Sequence, residues 1–292
     1  RARPPSRPPR EPRMELIAGL PAAEIGWLVA GLVIGGIVTG ILSGLFGVGG
    51  GAVIVPVLAE LFDHVGAGPD AQMHLAVGTS LAIIIPTSLR SFAAQRARGA
   101  VDMAALRLWI LPVAAGAAAG AAIAAVASSD ALKAVFAVFA LSMSANLLFG
   151  SDRWRLADDL PGRAATSLWG FLIAVVSVLI GIGGGALVAL FLTLHNRPIH
   201  TALGTSSGFG VLVAIPGAIG YAAAGLPHLA ELPPLSIGYV SLLGLALMAP
   251  ISVLAAPLGV RLAHRLSKRR LRMAFGCFLA LVATRFIVDL LT

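Results

Sequence analysis

The chain has 292 residues, 58% of them hydrophobic and 12% charged, with a mean hydropathy of +0.93. An ordinary soluble domain carries about 25% charged residues, so a water-soluble enzyme, a secreted disulfide scaffold and a disordered chain are excluded, and a polytopic membrane protein remains. The net charge of +8 looks at first like a hint of polyanion binding. Five arginines lie in residues 1–13 and six Lys/Arg in 261–272, with no nucleic-acid-binding motif beside them. These charges read as topology signals, and no nucleic-acid partner is expected.

Residues 1–14 are an Arg/Pro-rich tail with no apolar face, predicted to be disordered. The chain begins at Arg1, and Met14 offers a more conventional start. The apolar segments then run 24–46, an interruption at Gly47–Gly51, 52–62, 74–92, 103–127 and 131–149. A polar connector, 151–163, is expected in the cytoplasm. Next come 165–181, a second interruption at Gly181–Gly185, 186–195, 200–222, 235–260 and 271–290. The lone cysteine, Cys277, reads as a small packed residue within an apolar run. Long alternating strands are absent, which argues against an outer-membrane barrel.

A duplication organises this pattern. Ser43-Gly-Leu-Phe-Gly-Val-Gly-Gly-Gly-Ala52 aligns with Ser177-Val-Leu-Ile-Gly-Ile-Gly-Gly-Gly-Ala186, and His74-Leu-Ala-Val-Gly-Thr-Ser80 with His200-Thr-Ala-Leu-Gly-Thr-Ser206. Pro112 aligns with Pro250 in the following segment. The order is kept and the offsets are similar, so two membrane repeats are predicted, 15–150 and 164–292. The linker with Arg90, Arg96 and Arg98 faces a counterpart, 216–225, that has no Lys or Arg. The neutral linker near Lys133 faces one with Arg265, Lys268, Arg269, Arg270 and Arg272. By the positive-inside rule the repeats have opposite orientation. The predicted fold class is therefore an all-α polytopic membrane protein of two inverted-topology helical repeats, each with a glycine-broken hairpin. The tail arginines would then lie outside, a conflict that a translation start at Met14 removes.

Residues 52–62 and 186–195 make about 15–16 Å of helix, too short for ~30 Å of hydrocarbon. They are half-helices starting at membrane depth. Non-helical backbone there needs a reason. One reading is an anion site, because a helix N-terminus offers free N–H groups and a positive dipole end. The other is close helix packing through faces such as Gly36/Gly40/Gly44. The candidate substrate residues are Gly47, Gly49, Gly50, Gly51, Thr79 and Ser80, and Gly181, Gly183, Gly184, Gly185, Thr205 and Ser206. Thr and Ser hydroxyls can donate to an oxyanion, or bond back along their own helix. His74 and His200, four residues before each Gly-Thr pair, are candidates for proton coupling or plain interfacial residues. Arg285 and Asp289 stand at i and i+4 and are expected to pair. No constellation points to hydrolysis, a metal or a cofactor, and no ATP-binding loop is present.

The duplicated Ser-x-x-x-Gly-x-Gly-Gly-Gly openings, followed by Ala76-Val-Gly-Thr-Ser80 and Ala202-Leu-Gly-Thr-Ser206, resemble the sulfite exporter TauE/SafE family from about residue 24 to 290. That resemblance implies a multi-pass transporter of the bacterial inner membrane, not an enzyme. It implies a small sulfur-containing anion as substrate, such as sulfite, thiosulfate or an organosulfonate, carried by alternating access. A non-transporting membrane partner or assembly factor, and an anion channel, are the alternatives.

Overall fold

The computed structural model describes residues 22–46, 51–64, 67–150, 157–229, 232, 233, 235–265 and 267–291. The 1–14 tail and the glycines Gly47, Gly49 and Gly50 lie outside the described residues. The helices are α1 (Ala22–Phe46), α2 (Gly51–His64), α3 (Pro69–Ala97), α4 (Met103–Val126) and α5 (Ser129–Phe149) in the first half. They are α6 (Arg163–Ile180), α7 (Gly185–Leu194), α8 (Ile199–Gly225), α9 (Leu242–Arg265) and α10 (Lys268–Leu291) in the second. Among the described residues seven of them, α3, α4, α5, α6, α8, α9 and α10, are long and apolar enough to cross a membrane. The protein is an all-α polytopic membrane protein.

Local chemistry sets several helix ends. The Asp102 carboxylate accepts from the N–H groups of Ala104 and Ala105 and so starts α4, and Ser128 does the same for α5 through Ala131. Gly181, at φ 70°, ends α6 in the left-handed conformation. One predicted segment is corrected. Residues 235–241 are not the start of a helix: Ser236–Ile237 pairs antiparallel with Val240–Ser241 around Gly238, which has φ 53°. A Cβ on Gly238 would fall 1.8 Å from the Ala222 carbonyl oxygen, so only glycine permits this turn against α8.

Helices in lipid gain nothing from hiding apolar surface from one another, so close contact must come from small residues. A methyl on Gly40 would lie 2.4 Å from the Ser252 carbonyl oxygen, and one on Gly36 3.0 Å from Ile251 Cγ2, which seats α1 on α9. Gly116 and Gly120 seat α4 on α6 in the same way, against the Phe171 and Val175 carbonyls. Trp109 is fully buried; its Nε1–H donates to Thr166 O at 2.8 Å, and Gly170 leaves room for the indole. Leu111, Val126, Leu254 and Leu281 point outward, where lipid would cover them. Cys277, expected to be packed, is also exposed, because it falls on the outer face of α10.

The helix pairings persist when the halves are exchanged. α1 packs on α9 as α6 packs on α4; α9 packs on α3 as α4 packs on α8; α2 lies on α3 as α7 lies on α8. Two helices pack on their own counterparts, α3 on α8 and α5 on α10. Both of these pairs run antiparallel. Gly78 meets Tyr221, Gly217 meets Leu81 and Gly208 meets Phe92. Phe136 packs on Phe286, and Ser144 donates to Gly276 O.

α6 and α7 form a hairpin. Its feet are joined where Ala157 N–H donates to Leu194 O and where Arg197 pairs with Asp159 at 2.9 Å. Trp169 and Phe191 face each other across its arms, with ring centroids 5.9 Å apart. α1 and α2 form the second hairpin, with Gly31 against Leu61 and Gly35 against Val57.

Candidate functional site

The start of α2 meets the tip of the α6–α7 hairpin inside the bundle. A Cβ on Gly51, the first residue of α2, would lie 2.6 Å from both Gly181 O and Ile182 Cα. The Gly181–Gly184 turn rests on Val77 and Ile84 of α3, and Gly183 lies against Gly210, near the middle of α8. Both long helices extend well past these contacts in each direction, so the turn lies within the span. α7 has 10 residues, about 15 Å of helix, and its first turn starts from this depth.

The turn is possible only with glycine. Gly181, Gly183 and Gly184 have φ of 70°, 69° and 73°, which cost L-residues roughly 1–2 kcal/mol each. Space is equally tight: a methyl on Gly184 would lie 2.7 Å from Phe209 Cε1 and 2.8 Å from Ser177 Oγ. The turn exposes N–H groups to the protein interior. Gly181 and Ile182 donate to Ser177 O. The next five N–H groups, on Gly183, Gly184, Gly185, Ala186 and Leu187, make no well-aligned hydrogen bond among the described residues; the three glycines are buried and the other two half-buried. A buried unsatisfied N–H costs about 1–3 kcal/mol, more in hydrocarbon. Successive N–H groups in a left-handed turn form a concavity suited to an anion, and the α7 dipole adds about half a positive charge. No Asp, Glu, Lys or Arg is buried among the described residues.

Of the sequence candidates, Gly51, Ser80, Gly181, Gly183, Gly184 and Gly185 come together here. Ser80 Oγ–H donates to Gly181 O at 2.8 Å and so holds the turn from the other half. Its counterpart Ser206 donates within its own helix, to Leu203 O. Thr79 and Thr205 are fully buried and serve elsewhere. Thr79 Oγ1 accepts from Ser241 N–H at 2.9 Å, just before α9, and Thr205 Oγ1 accepts from Asp102 N–H at 2.8 Å, just before α4. The glycines before them admit the same loops: a Cβ on Gly78 would lie 2.2 Å from Tyr239 O, and one on Gly204 2.1 Å from Ala100 O.

The two histidines differ. His74 is buried, with Nδ1 3.0 Å from Asp70 O and Nε2 2.9 Å from Ala124 O in the last turn of α4. Its ring lies on Tyr239, with centroids 4.8 Å apart. His200 is exposed. Arg285 pairs with Asp289, as expected, and also lies 3.7 Å from Glu60.

Sequence reasoning missed Ser88 and Gly210. Ser88 is 5% exposed and faces Gly210 across the α3–α8 contact. The point where a Gly210 Cβ would stand is 2.8 Å from Ser88 Oγ and 3.5 Å from Gly183 O. The duplication conceals both residues, because the positions equivalent to Ser88 and Gly210 are Ala214 and Ile84.

Comparison with known proteins agrees with this architecture. A probable membrane transporter protein of Haemophilus influenzae is 27% identical over 239 residues, covering 82% of this chain and 90% of the relative. A probable membrane transporter protein of Methanocaldococcus jannaschii is 28% identical over 239 residues, covering 82% and 87%. No solved structure matches the chain. The profile of the sulfite exporter TauE/SafE family matches residues 32–286, nearly the whole membrane-embedded chain, and this multi-pass membrane protein belongs to that family of transporters.

Proposed function

We propose that the protein is a secondary transporter that moves a small oxyanion, a sulfur-containing one such as sulfite, thiosulfate or a sulfonate, across the bacterial inner membrane by alternating access. The observation that carries this reading is the run of five N–H groups at 183–187, buried or half-buried inside the span at the start of α7, that make no well-aligned hydrogen bond among the described residues. Such donors stabilise an anion without a buried cation that would itself be costly when the site is empty. The family's name supports the sulfur chemistry.

Alternating access needs two halves able to rock about a central site. Counterpart helices related by a two-fold axis run antiparallel only when the axis crosses them. The antiparallel pairing of α3 with α8 and of α5 with α10 therefore supports an axis in the membrane plane, and so inverted repeats. In this reading the two hairpins enter from opposite faces, and the start of α2 meets the Gly181–Gly184 turn at the site.

His74 is our candidate for proton coupling. A neutral imidazole has one N–H and can donate to only one of the two carbonyls it faces, whereas the imidazolium donates to both. Protonation thereby ties α3 to α4. His200, exposed and on the other half, has no such arrangement.

The test is flux of labelled sulfite, thiosulfate and taurine into proteoliposomes of purified protein. At least one should move faster than in protein-free vesicles, and Gly184→Leu should abolish that flux while inserting normally. Anion-independent behaviour of the wild type, with no flux for any of the three, would favour a non-transporting partner. Single-step currents in a planar bilayer would instead indicate a channel.

A further inference from the structure

We infer that the structure is the cytoplasm-open state of the transport cycle, in which the second half of α3 lines a water-filled vestibule, and that Arg90 is the cation that draws the anion into it; this rests on the oxyanion reading and the inverted repeats proposed above. Depth comes first. Gly78 meets Tyr221, Leu81 meets Gly217, Ser88 meets Gly210 and Phe92 meets Gly208. Pro86 and Thr87 therefore stand level with Leu212 and Val213, which are their own equivalents in the repeat. A two-fold axis in the membrane plane passes at that level, so Pro86 and Thr87 lie at the midplane. Arg90 is three to four residues further on, about 5 Å of helix. It is exposed and forms no ion pair among the described residues. An arginine so close to the midplane is costly in lipid and ordinarily faces a water-filled cavity.

The exposure has a direction. Residues 71–84 of α3 are buried on every side, and from Pro86 onward the helix opens. The two repeats differ here. Ile215, Ile219 and Ala223 form one exposed apolar stripe on α8, and their equivalents Leu89, Ala93 and Ala97 are exposed too, as the lipid-facing side of each helix. Pro86, Arg90, Ser91 and Ala94 are exposed in addition, whereas their equivalents Leu212, Pro216, Gly217 and Gly220 are buried or half-buried. Gly217 is covered by Val178 of α6, and Gly220 by Ala121 of α4. The equivalent of Ala121 is Gly259 of α9, and it lies against Ile41 of α1 instead. Each outer pair is tight within itself, α4 on α6 through Gly116 and Gly120, and α1 on α9 through Gly36 and Gly40. The α4–α6 pair is seated along the second half of α8. The α1–α9 pair meets α3 at Thr79, through Gly244, and leaves Arg90, Ser91 and Ala94 bare.

That bare face carries a guanidinium and a hydroxyl, which suits water and not acyl chains. It opens at the end of α3 that bears Arg96 and Arg98, the cytoplasmic side by the positive-inside rule. At its deep end it starts two residues past Ile84, on which the glycine turn rests. A cation in a cleft with low-dielectric walls raises the local concentration of anions. Rocking α1 and α9 onto this face, as α4 and α6 sit on α8, closes the cytoplasmic entrance.

The test places Ser91→Cys, Ala94→Cys and Ala93→Cys singly in a Cys277→Ser background, Cys277 being the sole cysteine. Each is treated with a membrane-impermeant sulfonate-bearing methanethiosulfonate, and with its trimethylammonium analogue, in spheroplasts and in inside-out vesicles. Ser91→Cys and Ala94→Cys should react at least tenfold faster in inside-out vesicles than in spheroplasts, while Ala93→Cys, on the lipid stripe, stays slow from both sides. Adding Arg90→Gln to Ser91→Cys should lower the ratio of anionic to cationic reagent rates about tenfold, the effect of a unit charge a few ångströms away, and Arg90→Lys should retain the ratio. In proteoliposomes Arg90→Gln should raise KM for sulfite and thiosulfate about tenfold, and by less at high ionic strength. Slow modification of Ser91→Cys and Ala94→Cys from both faces, matching Ala93→Cys, would overturn the vestibule. A rate ratio that ignores Arg90→Gln would overturn the role of Arg90. If the labelling pattern and its charge preference hold while the wild type moves neither anion, the vestibule stands and the oxyanion reading falls.

Discussion

The Thr79 hydroxyl accepts the backbone N–H of Ser241 at 2.9 Å, across 162 positions of sequence, and so joins the middle of one half to the start of α9 in the other. Thr205 repeats the arrangement with Asp102. Removing the hydroxyl leaves a buried N–H without a partner. Thr79→Val and Thr205→Val should each destabilise the protein by about 1–3 kcal/mol, whereas Thr79→Ser should retain most of the stability. Thermal unfolding in detergent checks this, and equal melting of Thr79→Val and wild type would refute the structural role.

The glycines before these threonines are the tighter constraint. Gly78→Ala and Gly204→Ala place a methyl 2.2 and 2.1 Å from loop carbonyl oxygens, which cannot retreat as a flexible side chain would. Each should cost about 1–3 kcal/mol or more through forced backbone shifts. Yield of monodisperse protein and melting temperature should both fall, with Gly68→Ala, set in open space, unaffected.

Ser80→Ala removes the donor to Gly181 O and leaves that carbonyl unpaired at the hairpin tip. Stability should drop by about 1–3 kcal/mol. Maximal flux should fall as well, because the turn that presents the 183–187 N–H groups loses its tether. A variant with lowered stability and undiminished flux would show that Ser80 does not position the turn for transport.

His74→Gln supplies one amide donor group where the imidazolium supplies two opposed ones. If His74 carries the coupling proton, an imposed pH gradient should no longer accelerate uptake in this variant, while anion exchange without a gradient persists. His200→Ala should keep the wild-type response. Unchanged acceleration in His74→Gln would remove histidine coupling at that position.

The residue pattern alone carries the membrane class, ten helical segments, most of them within a few residues although 235–241 folds as a small hairpin, and the glycine interruption at Gly181–Gly185. Composition, apolar run length and self-similarity are local properties, and a bilayer leaves the backbone few alternatives to helix. It also singled out Gly51, Ser80 and Gly181–Gly185, because a duplicated motif stands out without any knowledge of contacts. Only the tertiary structure decided what each polar side chain touches. Thr79 and Thr205 looked like substrate donors, yet their oxygens accept from loops more than 100 residues away. His74 and His200 looked equivalent, yet one is enclosed by two carbonyls and the other is exposed. Ser88 carried no signal, since a single serine in an apolar helix is unremarkable until Gly210 and Gly183 are brought to it. A hydroxyl's role follows from the free acceptor or donor nearest it in space, and in a chain folded back through the membrane that neighbour lies far away in sequence.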